Sequence, residues 1–521
     1  MATAASRNPA ALVAEAKRAR AAQDMTAACA AMDAAARAAP DHPGLAAMQA
    51  EFAYEGWYPA AALFERAALL NPGNAEVVRG FALALAAEGE GARAERLLEG
   101  VLARMPGWLE GHATLSTLRV TADDRDPLRS YAEAAAGEGT SAGLYAAWFQ
   151  RLAAAKDWAG AEAVLAQAEA RGATTGLAVM RLYLACESGT ASGDPEIFTP
   201  FAGSSDPGLA LLQVRHALRH GHPGRALALA EAQLGKPHAG QFWPYCSLAW
   251  RLTGDPRAQW LEGDPGFAEA IDLDLAPAQL AELSQFARGL HRMNAPYPEQ
   301  SVRGGVQTNR NLLLHHAQVI VDLRTRLAAV VAAWRDRLPV GDDTHPLLSR
   351  KPEHIRFSGS WSVRLAGGGY HSAHTHPLGW ASTALYLAMP DDPGEDHAGQ
   401  LVLGMPLYGR GWSGVAPGTS GTGLHSAGTG ASTGTWEAGV LDYDDIAANY
   451  LPRMTRYWDS VSKVPYLWNP ATGVFISYDD AQSMQAKARY LESLGLGGVM
   501  LWELSSDRQG VLIDALNAEL R

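Results

Sequence analysis

The N-terminal half of the chain repeats a pattern of alanine-rich helices at a regular interval, and this period strongly constrains the fold. Pro40, Pro72 and Pro106 close three similar segments of nearly equal length. Gly56 and Gly89 lie at matching places between the two helices of a segment and keep the same interval. A lone helix pair cannot bury its apolar face, whereas stacked pairs share one core and leave a concave surface. The period therefore predicts a stack of helix pairs.

Helix pairs with a period of about 34 residues, small residues and a terminal proline resemble tetratricopeptide repeats. Looser copies of the pattern follow at AKDWAGAEAVLAQAEARG, RHGHPGRALALAEAQL and TGDPRAQWLEGD. We therefore predict tetratricopeptide-like helical repeats over residues 1–270, with a protein or peptide partner bound in the groove of the stack. An irregular helical domain without a binding groove is the alternative.

Composition and charge exclude several classes of protein. A net charge of −12 over 521 residues argues against non-specific nucleic-acid binding, which needs clustered Lys and Arg. No stretch approaches about eighteen uninterrupted apolar residues, so we expect no membrane span. The three cysteines lie far apart, which argues against a disulfide framework. The first residues, MATAASRNPAALVAEAKRARAA, lack the apolar core of a secretory signal, and we expect a cytoplasmic protein.

Between residues 271 and 403 the pattern changes from helical to strand-like. One amphipathic helix is predicted over residues 322–338. After it, apolar and polar residues alternate as they do in antiparallel strands joined by turns. The residues that carry this alternation are Arg356, Trp361, Val363, Leu365, Ala384, Tyr386 and Ala388. We therefore predict an all-β element in this part of the chain.

Three histidines, His371, His374 and His376, follow a triple glycine in the predicted β element. Residues i and i+2 of a strand point to the same face, so His374 and His376 could converge on one metal ion. Imidazole ligands suit Fe, Zn, Cu or Ni, and two histidines with a third, distant ligand suit Fe(II) oxygenases. The three histidines could equally be solvated residues beside a glycine turn.

The runs QSVRGGVQTNRNLL, RFSGSWSVRL and GGGYHSAHTHPLGWASTALYLAMP resemble the 2-oxoglutarate–Fe(II) oxygenases that follow tetratricopeptide repeats in bacterial proteins. The resemblance covers residues 240–403 and implies a double-stranded β-helix, or jelly roll, with Fe(II) and 2-oxoglutarate as cofactors. It implies that His374 and His376 form the first iron-binding motif, with His371 as a weaker candidate. It also implies side chains that line or buttress the same pocket: Trp361, Arg364 and Trp380.

The second half of this implied iron site is missing from the sequence. The family needs a distal histidine on a late strand, followed by a basic residue that pairs with 2-oxoglutarate. After His376 the chain offers His397, in the loop PDDPGEDHAG, and His425, in the low-complexity segment GTSGTGLHSAGTGASTGT. Neither precedes a β pattern with a following arginine. We therefore predict a truncated jelly roll with impaired binding of Fe(II) and 2-oxoglutarate.

From Leu401 to its end the chain resembles family 18 glycoside hydrolases, specifically bacterial chitinases. The matching runs are LVLGMPLYGRGW, GTWEAGVLDYDDIAANYL, VPYLWNPATGVFISYDDAQSMQAKARYLESLGLGGVMLWELSSD and GVLIDAL. The resemblance implies the final part of a (β/α)8 barrel. LVLGMPLYGRGW would be the seventh strand with its loop, followed by a small α+β insertion. A helix over residues 482–494 and an eighth strand, GGVMLWEL, would come next.

The chitinase resemblance implies a sugar site but no catalytic residue. Functional side chains of barrels cluster at the carboxyl ends of strands, so Trp502 would be the aromatic floor beneath a sugar. Tyr408 and Arg410 would contribute to the sugar cleft. Without the resemblance, Trp502 is more simply a core residue. The family's general acid ends a D-x-x-D-x-D-x-E strand, a spacing that does not occur in this sequence.

Two stretches with carboxylates come nearest to supplying an acid. The run AIDLDLA, with Asp272 and Asp274, lacks both the first Asp and the Glu of the motif. Glu503 and Asp507 lie on the chitinase-like fragment, but the family pattern makes neither of them the acid. We therefore assign no catalytic residue.

The string LVLGMP fits both families, which predicts a chimera joined inside one strand. We predict a multidomain chain with an α-helical solenoid over residues 1–270, a truncated jelly roll over residues 271–403 and a partial barrel over residues 404–521. The leading hypothesis is an Fe(II)/2-oxoglutarate-dependent dioxygenase with partner-binding repeats, inactive without its second half-site. The alternatives are a chitinase-type hydrolase of chitin oligosaccharides that lacks its acid, and a protein-binding repeat scaffold.

Overall fold

The computed structural model describes residues 8–137, 141–297, 300–372, 374–388, 402–493, 498–502 and 506–520. The chain divides into two compact units, Met1–Ala384 and Leu385–Arg521. The predicted repeats and most of the predicted β element lie within the first unit. Among the described residues, none of the helices has the length and apolar content needed to cross a membrane.

The first unit is mainly helical. Its α-helices are α1 (Pro9–Ala21), α2 (Met25–Ala38), α3 (Pro43–Glu55), α4 (Ala61–Leu70), α5 (Ala75–Ala87), α6 (Gly91–Leu102), α7 (Leu109–Thr121), α8 (Arg129–Ala136), α9 (Ala142–Ala154), α10 (Trp158–Ala170), α11 (Leu177–Ser188), α12 (Pro207–Arg219), α13 (Pro223–Glu231), α14 (Trp243–Thr253), α15 (Arg257–Glu262), α16 (Pro277–Gly289) and α17 (Gln318–Arg337). Short 3-10 helices lie at Pro195–Phe201, Ala239–Gln241, Pro265–Phe267 and Leu312–Leu314. The helix predicted over residues 322–338 is confirmed as the main part of α17.

A left-handed backbone residue follows the first helix of each pair, and these residues keep the period of the sequence. At nearly equal spacing along the chain, they are Gln23, Trp57, Gly89, Asp123, Lys156, Gly189, Gly221 and Gly254. We call this row the turn edge. Within the described residues it marks eight helix pairs, the last being α14 and α15, and in the sixth pair the second helix is the 3-10 helix Pro195–Phe201. The prediction of helical repeats is confirmed.

Local sequence signals and close packing stabilise these pairs. The side chains of Asp24, Asn74 and Asp157 accept hydrogen bonds from backbone amides in the first turns of α2, α5 and α10, as capping residues do. Alanines allow the helices to approach closely around larger buried residues such as Phe64 and Leu85. The core of the first repeats therefore runs continuously from one pair to the next.

The predicted β element of the first unit is a two-stranded ribbon. Strand β1 (Val302–Gln307) pairs in antiparallel fashion with β2 (Val363–His371). The strand predicted around residues 384–388 is wrong, because the described residues from 374 to 388 contain none. A strand needs partners for its backbone hydrogen-bonding groups, and alternation alone does not supply them. The predicted jelly roll is therefore not confirmed.

The second unit combines a parallel strand pair with a separate antiparallel sheet. Strands β3 (Val402–Pro406) and β10 (Gly498–Trp502) are parallel neighbours. The other strands are β4 (Tyr408–Ser413), β5 (Gly430–Ala431), β6 (Val440–Asp442), β7 (Thr455–Asp459), β8 (Val464–Asn469) and β9 (Val474–Ser477). Their order is β5-β4-β9-β8-β7, with β6 also paired to β4. The helices are α18 (Tyr443–Asp445), which continues into a π-helix at Ile446–Tyr450, α19 (Ala481–Ser493) and α20 (Val511–Glu519).

This arrangement confirms the predicted helix over residues 482–494, which is α19, and both predicted strands, which are β3 and β10. One core joins the parallel pair, the inner face of the antiparallel sheet, α19 and α20. Met405, Leu467 and Met484 are fully or almost fully buried in it. Two parallel neighbours do not by themselves make a barrel, so the predicted barrel is not confirmed.

Candidate functional site

Strand β4 carries the sequence Tyr-Gly-Arg-Gly-Trp, and its two faces differ. A Cβ atom on Gly409 would lie 2.6 Å from Cδ1 of Ile446, and one on Gly411 would lie 2.8 Å from Cδ1 of Leu441, so the glycines face the core. Successive side chains of a strand point to opposite faces. Tyr408, Arg410 and Trp412 therefore share the outer face of the sheet.

Arg410 lies between an aromatic ring and a carboxylate. Its guanidinium carbon is 5.4 Å from the ring centroid of Tyr408. Its Nη1 is 3.9 Å from Oε1 of Glu437, and both side chains are more than half exposed. Such an exposed ion pair contributes little to stability, because water screens it. The fork of N–H donors of Arg410 is therefore accessible to a polar ligand.

Trp436 is the most exposed tryptophan among the large exposed apolar side chains, with 73% of its surface accessible. Its Nε1 donates a hydrogen bond of 2.7 Å to Oδ2 of Asp442, which is buried on β6 opposite Tyr408. The other carboxylate oxygen of Asp442 accepts 2.8 Å from Oγ of Ser506. A buried carboxylate thus anchors a large, exposed ring. We call Tyr408, Arg410, Trp436, Glu437 and Asp442 the Trp436 cluster.

Sequence reasoning singled out Tyr408 and Arg410 but missed the other members of the Trp436 cluster. Trp436, Glu437 and Asp442 all lie in the run GTWEAGVLDYDD, which carried the resemblance. The signal that could have identified them is the pair of a tryptophan and a carboxylate in a turn before a short strand. That signal depends on pairing of β4 with β6, which the sequence does not reveal.

An aromatic row continues from β4 across the outer face of the sheet. Trp412 on β4 contacts Phe475 on β9, with ring centroids 6.1 Å apart. Phe475 stacks on Tyr466 of β8 at 5.1 Å, and Tyr466 stacks on Tyr457 of β7 at 5.2 Å. Trp412 is partly exposed, whereas Tyr466 is buried and its hydroxyl contacts Oγ1 of Thr422 at 2.8 Å. These aromatic rings therefore stabilise the sheet more than they provide a surface for a ligand.

The predicted sugar floor and the two downstream carboxylates differ in what the structure describes. Trp502 ends β10, where its backbone pairs with Pro406 at the end of β3, but its side chain lies outside the described part. Glu503 lies outside the described residues. Asp507 is buried, and its carboxylate accepts hydrogen bonds from three backbone amides at the start of α20, those of Val511, Leu512 and Ile513. Asp507 therefore stabilises the N-terminus of α20. The role of Trp502 stays a prediction.

The three candidate metal ligands lie close together at the end of the ribbon. The ring centroids of His371 and His374 are 5.7 Å apart, and those of His374 and His376 are 4.9 Å apart. His374 and His376 do not lie on a strand as predicted, since β2 ends at His371. Burial, followed by the charges of neighbouring imidazoles, lowers the pKa of His371 and of His376. Both rings are therefore uncharged at neutral pH.

Second partners orient two of these rings. Nδ1 of His374 is 2.7 Å from the carbonyl oxygen of Ser372, which can only accept, so Nδ1 carries a proton and donates this hydrogen bond. Nδ1 of His371 is 2.8 Å from Oγ of Ser301. Among the described residues, however, no group of three or more His, Cys, Asp or Glu side chains could hold a metal ion. The metal assignment stays a prediction.

The side chains expected to line the same pocket do not all gather there. The ring of Trp361 is 5.4 Å from that of His376. Arg364 is exposed on β2. Trp380 instead packs against Trp334 of α17 at 5.4 Å and donates a hydrogen bond to the carbonyl oxygen of Leu347. His397 lies outside the described residues, and His425 lies in a loop of the second unit with a positive φ.

Comparison with known families supports two of the predicted segments. The model of the glycosyl hydrolases family 18 matches residues 357–507, and a tetratricopeptide repeat model matches residues 60–118. The first match begins before Leu401, where the resemblance was expected to start, and so includes β2 and the histidines of the first unit. The predicted resemblance to 2-oxoglutarate oxygenases is not shown by these comparisons.

Chitinases are prominent among the similar proteins. Chitinase A1 of Niallia circulans is 43% identical over 181 residues, covering 32% of this chain and 24% of that protein. Chitinase B of Serratia marcescens is 32% identical over 291 residues, covering 49% of this chain and 58% of that protein. The solved chitinase ChiA74 from Bacillus thuringiensis is 44% identical, covers 23% of this chain and 22% of that chain, and has a TM-score of 0.21. This chain spans about a quarter to a third of the length of the first curated relatives that it matches.

Proposed function

We propose that the segment related to family 18 glycoside hydrolases binds chitin-type oligosaccharides, and that the tetratricopeptide repeats bind a protein or peptide. The observation that carries the carbohydrate proposal is Trp436, an exposed ring anchored by the buried Asp442 and placed beside Arg410. A flat, fixed ring offers a stacking surface to the apolar face of a sugar. The guanidinium of Arg410 supplies donors to hydroxyl and acetamide oxygens.

We propose binding without hydrolysis. The acid motif of the family does not occur in the sequence, and the carboxylate of Asp507 is engaged by three backbone amides. Hydrolysis of chitin in this family is a substrate-assisted variant of the glycosidase reaction and depends on a protonated carboxylic acid. With few contacts, binding should be weak, with a dissociation constant on the order of 1 mM, or about −4 kcal/mol.

Titration with N-acetylglucosamine hexamer tests the carbohydrate proposal, with tryptophan fluorescence as the readout. Trp436→Ala should abolish saturable binding, because it removes the stacking surface. Trp458→Ala, in the same unit but packed under Arg456, is the matched control and should bind as the wild type does. Equal loss in both variants, or unchanged binding in Trp436→Ala, would contradict the proposal. Release of chitobiose from the hexamer would contradict the absence of hydrolysis.

A second candidate is metal binding by the histidine cluster, favoured by the spacing of its rings. A non-haem Fe(II) oxygenase site combines two histidines with one carboxylate. The described donor set does not fit that requirement, because it offers imidazoles without a carboxylate. We therefore derive no oxygenase step, and we retain only weak metal binding by imidazole as a prediction.

A further inference from the structure

Four positions of the turn edge are not glycine, namely Gln23, Trp57, Asp123 and Lys156, and the first two make long-range contacts. Gln23 and Trp57 have φ values of 62° and 64°. A left-handed backbone costs a residue with a Cβ atom roughly 1–2 kcal/mol. Each of these two side chains donates a hydrogen bond to a residue far away in the sequence. Gln23 bonds the carbonyl oxygen of Phe357, and Trp57 bonds that of Asn311. At the turns of Gln23 and Trp57, these long-range hydrogen bonds account for a large side chain.

Trp57 is surrounded by the segment around Arg310. Its Nε1 donates a hydrogen bond of 2.9 Å to the carbonyl oxygen of Asn311. The guanidinium carbon of Arg310 lies 3.8 Å from the Trp57 ring centroid and 5.0 Å from that of Tyr54. Arg310 also donates to the carbonyl oxygen of Tyr54 at 3.2 Å. Burial lowers the pKa of Arg310, and a desolvated cation interacts more strongly with aromatic rings than an exposed one.

The same segment continues across the next residues of this turn. The His316 ring stacks on Tyr58 with centroids 3.8 Å apart. Its backbone amide and its Nδ1 both donate to the carbonyl oxygen of Gly56, at 3.3 Å and 2.9 Å. Leu314 is buried with Met25 and others in the core of the first two repeats. Polar, aromatic and apolar contacts therefore converge on residues 310–316.

A second contact holds the chain at the first turn. Nε2 of Gln23 donates 2.9 Å to the carbonyl oxygen of Phe357, and the amide of Phe357 donates 3.1 Å to Oε1 of Gln23. The carboxamide thereby replaces a strand partner for Phe357. Since Leu312 donates its amide to Ser360, the segments near Phe357 and residues 310–316 also bond each other.

We infer that the turn edge of the first two repeats is a peptide-docking surface whose occupant is this chain's own segment, residues 310–316. The surface fits a peptide with a short 3-10 turn, flanked by an arginine that inserts between Tyr54 and Trp57 and an imidazole that stacks on Tyr58. A separate protein partner must therefore bind elsewhere on the repeats or displace this segment. The inference does not depend on the carbohydrate proposal, which concerns the second unit.

Hydrogen exchange of the full-length chain tests the inference, because the amide of His316 donates to the carbonyl oxygen of Gly56, next to Trp57 of the turn edge. Trp57→Ala should raise the exchange rate of the His316 amide at least about tenfold, which corresponds to about 1.4 kcal/mol. Lys156→Ala is the matched control. Lys156 occupies the equivalent left-handed position three repeats later, and among the described residues its side chain has no hydrogen-bonding or ionic partner. The control should leave the His316 amide unchanged.

A reciprocal variant reads the same contact from the other side. Arg310→Ala should raise exchange in the turn between α3 and α4. Arg303→Ala should not, because in the described part of the chain its guanidinium bonds the nearby backbone carbonyls of Gln300 and Val302. If Trp57→Ala does not fold, Gln23→Ala should raise exchange at the Phe357 amide instead. Unchanged exchange at the reporter amides, or an equal rise in the Lys156→Ala control, would overturn the inference.

Discussion

In the helical repeats each helix packs against its neighbours in sequence, whereas the core of the second unit joins segments that are far apart along the chain. The pair α1 and α2 is separated by a turn of a few residues, and its core passes directly to α3. In the second unit Val402 of β3 pairs with Gly498 of β10. Repeat arrays therefore tolerate any number of pairs, but a sheet built from distant strands depends on all of them.

The two units therefore differ in how far each element depends on distant parts of the chain. Each helix pair needs only the adjacent pairs to bury its apolar face. The chitinase-like segment instead corresponds to a fraction of the length of its relatives, and its parallel pair has two edges without a strand among the described residues. Unpaired edges leave backbone groups exposed and favour association with other chains.

The largest expected effect comes from the core of the second unit. Leu467→Ala removes a fully buried side chain that joins the antiparallel sheet to α19 and α20, and should destabilise the second unit by about 2–5 kcal/mol. Leu85→Ala makes the same change in the repeats, where Leu85 is equally buried. We expect Leu467→Ala to abolish exchange protection throughout the second unit, and Leu85→Ala to lower it only in neighbouring helix pairs. If Leu85→Ala also abolished exchange protection throughout its own unit, the contrast between the two units would be wrong.

A smaller effect should follow from adding one methyl group to β4. In Gly411→Ala the new Cβ would meet Ser432 Oγ and Leu441 Cδ1, which should cost about 1–3 kcal/mol by overpacking. Gly430→Ala, on the paired strand β5, meets no atom within 4 Å and serves as the control. Urea unfolding followed by exchange in the second unit measures both. A smaller loss of stability in Gly411→Ala than in Gly430→Ala would show that the sheet is not tightly packed around Gly411.

A pH-dependent effect tests whether the repeats also depend on distant contacts. Burial, followed by the charges of His316 and Arg310, lowers the pKa of His315 to about 4. Because the unfolded chain binds this proton more readily, the free energy of unfolding should fall as the pH drops from about 6.5 towards 4. His315→Asn keeps an acceptor for the Ala317 amide and should flatten this dependence. Denaturation of wild type and variant at pH 7 and pH 5 measures it, with the exposed His354→Asn as control.

The smallest expected effect concerns the histidine cluster at the end of the ribbon. Wild-type protein should bind Fe(II) weakly, and His374→Ala should lose that binding, because His374 lies between the other two rings. The lowered pKa of His371 and His376 keeps these imidazoles neutral, so binding should persist somewhat below pH 6.5. Anaerobic titration measures the binding. Succinate formation from 2-oxoglutarate would instead reveal a complete oxygenase site.

Local patterns predicted a large part of this fold. The proline and glycine period predicted the helix pairs, an amphipathic run predicted α17, and the chitinase resemblance implied α19 within a few residues. Alternation misled us at residues 384–388, because a strand also needs a partner for its backbone. The oxygenase resemblance placed a jelly roll where the structure describes a two-stranded ribbon.

The sequence alone determined the repeating helices, because short-range periodicity encodes them. The resemblance of contiguous runs to chitinases implied the strands β3 and β10 and proposed Tyr408 and Arg410 for a sugar cleft. Only the tertiary structure decided that Asp442 anchors Trp436, that Asp507 serves α20, and that residues 310–316 occupy the turn edge. Each of these contacts joins residues whose separation along the sequence follows no repeating interval. Such contacts follow from the packing of whole elements against one another, which a linear pattern does not contain.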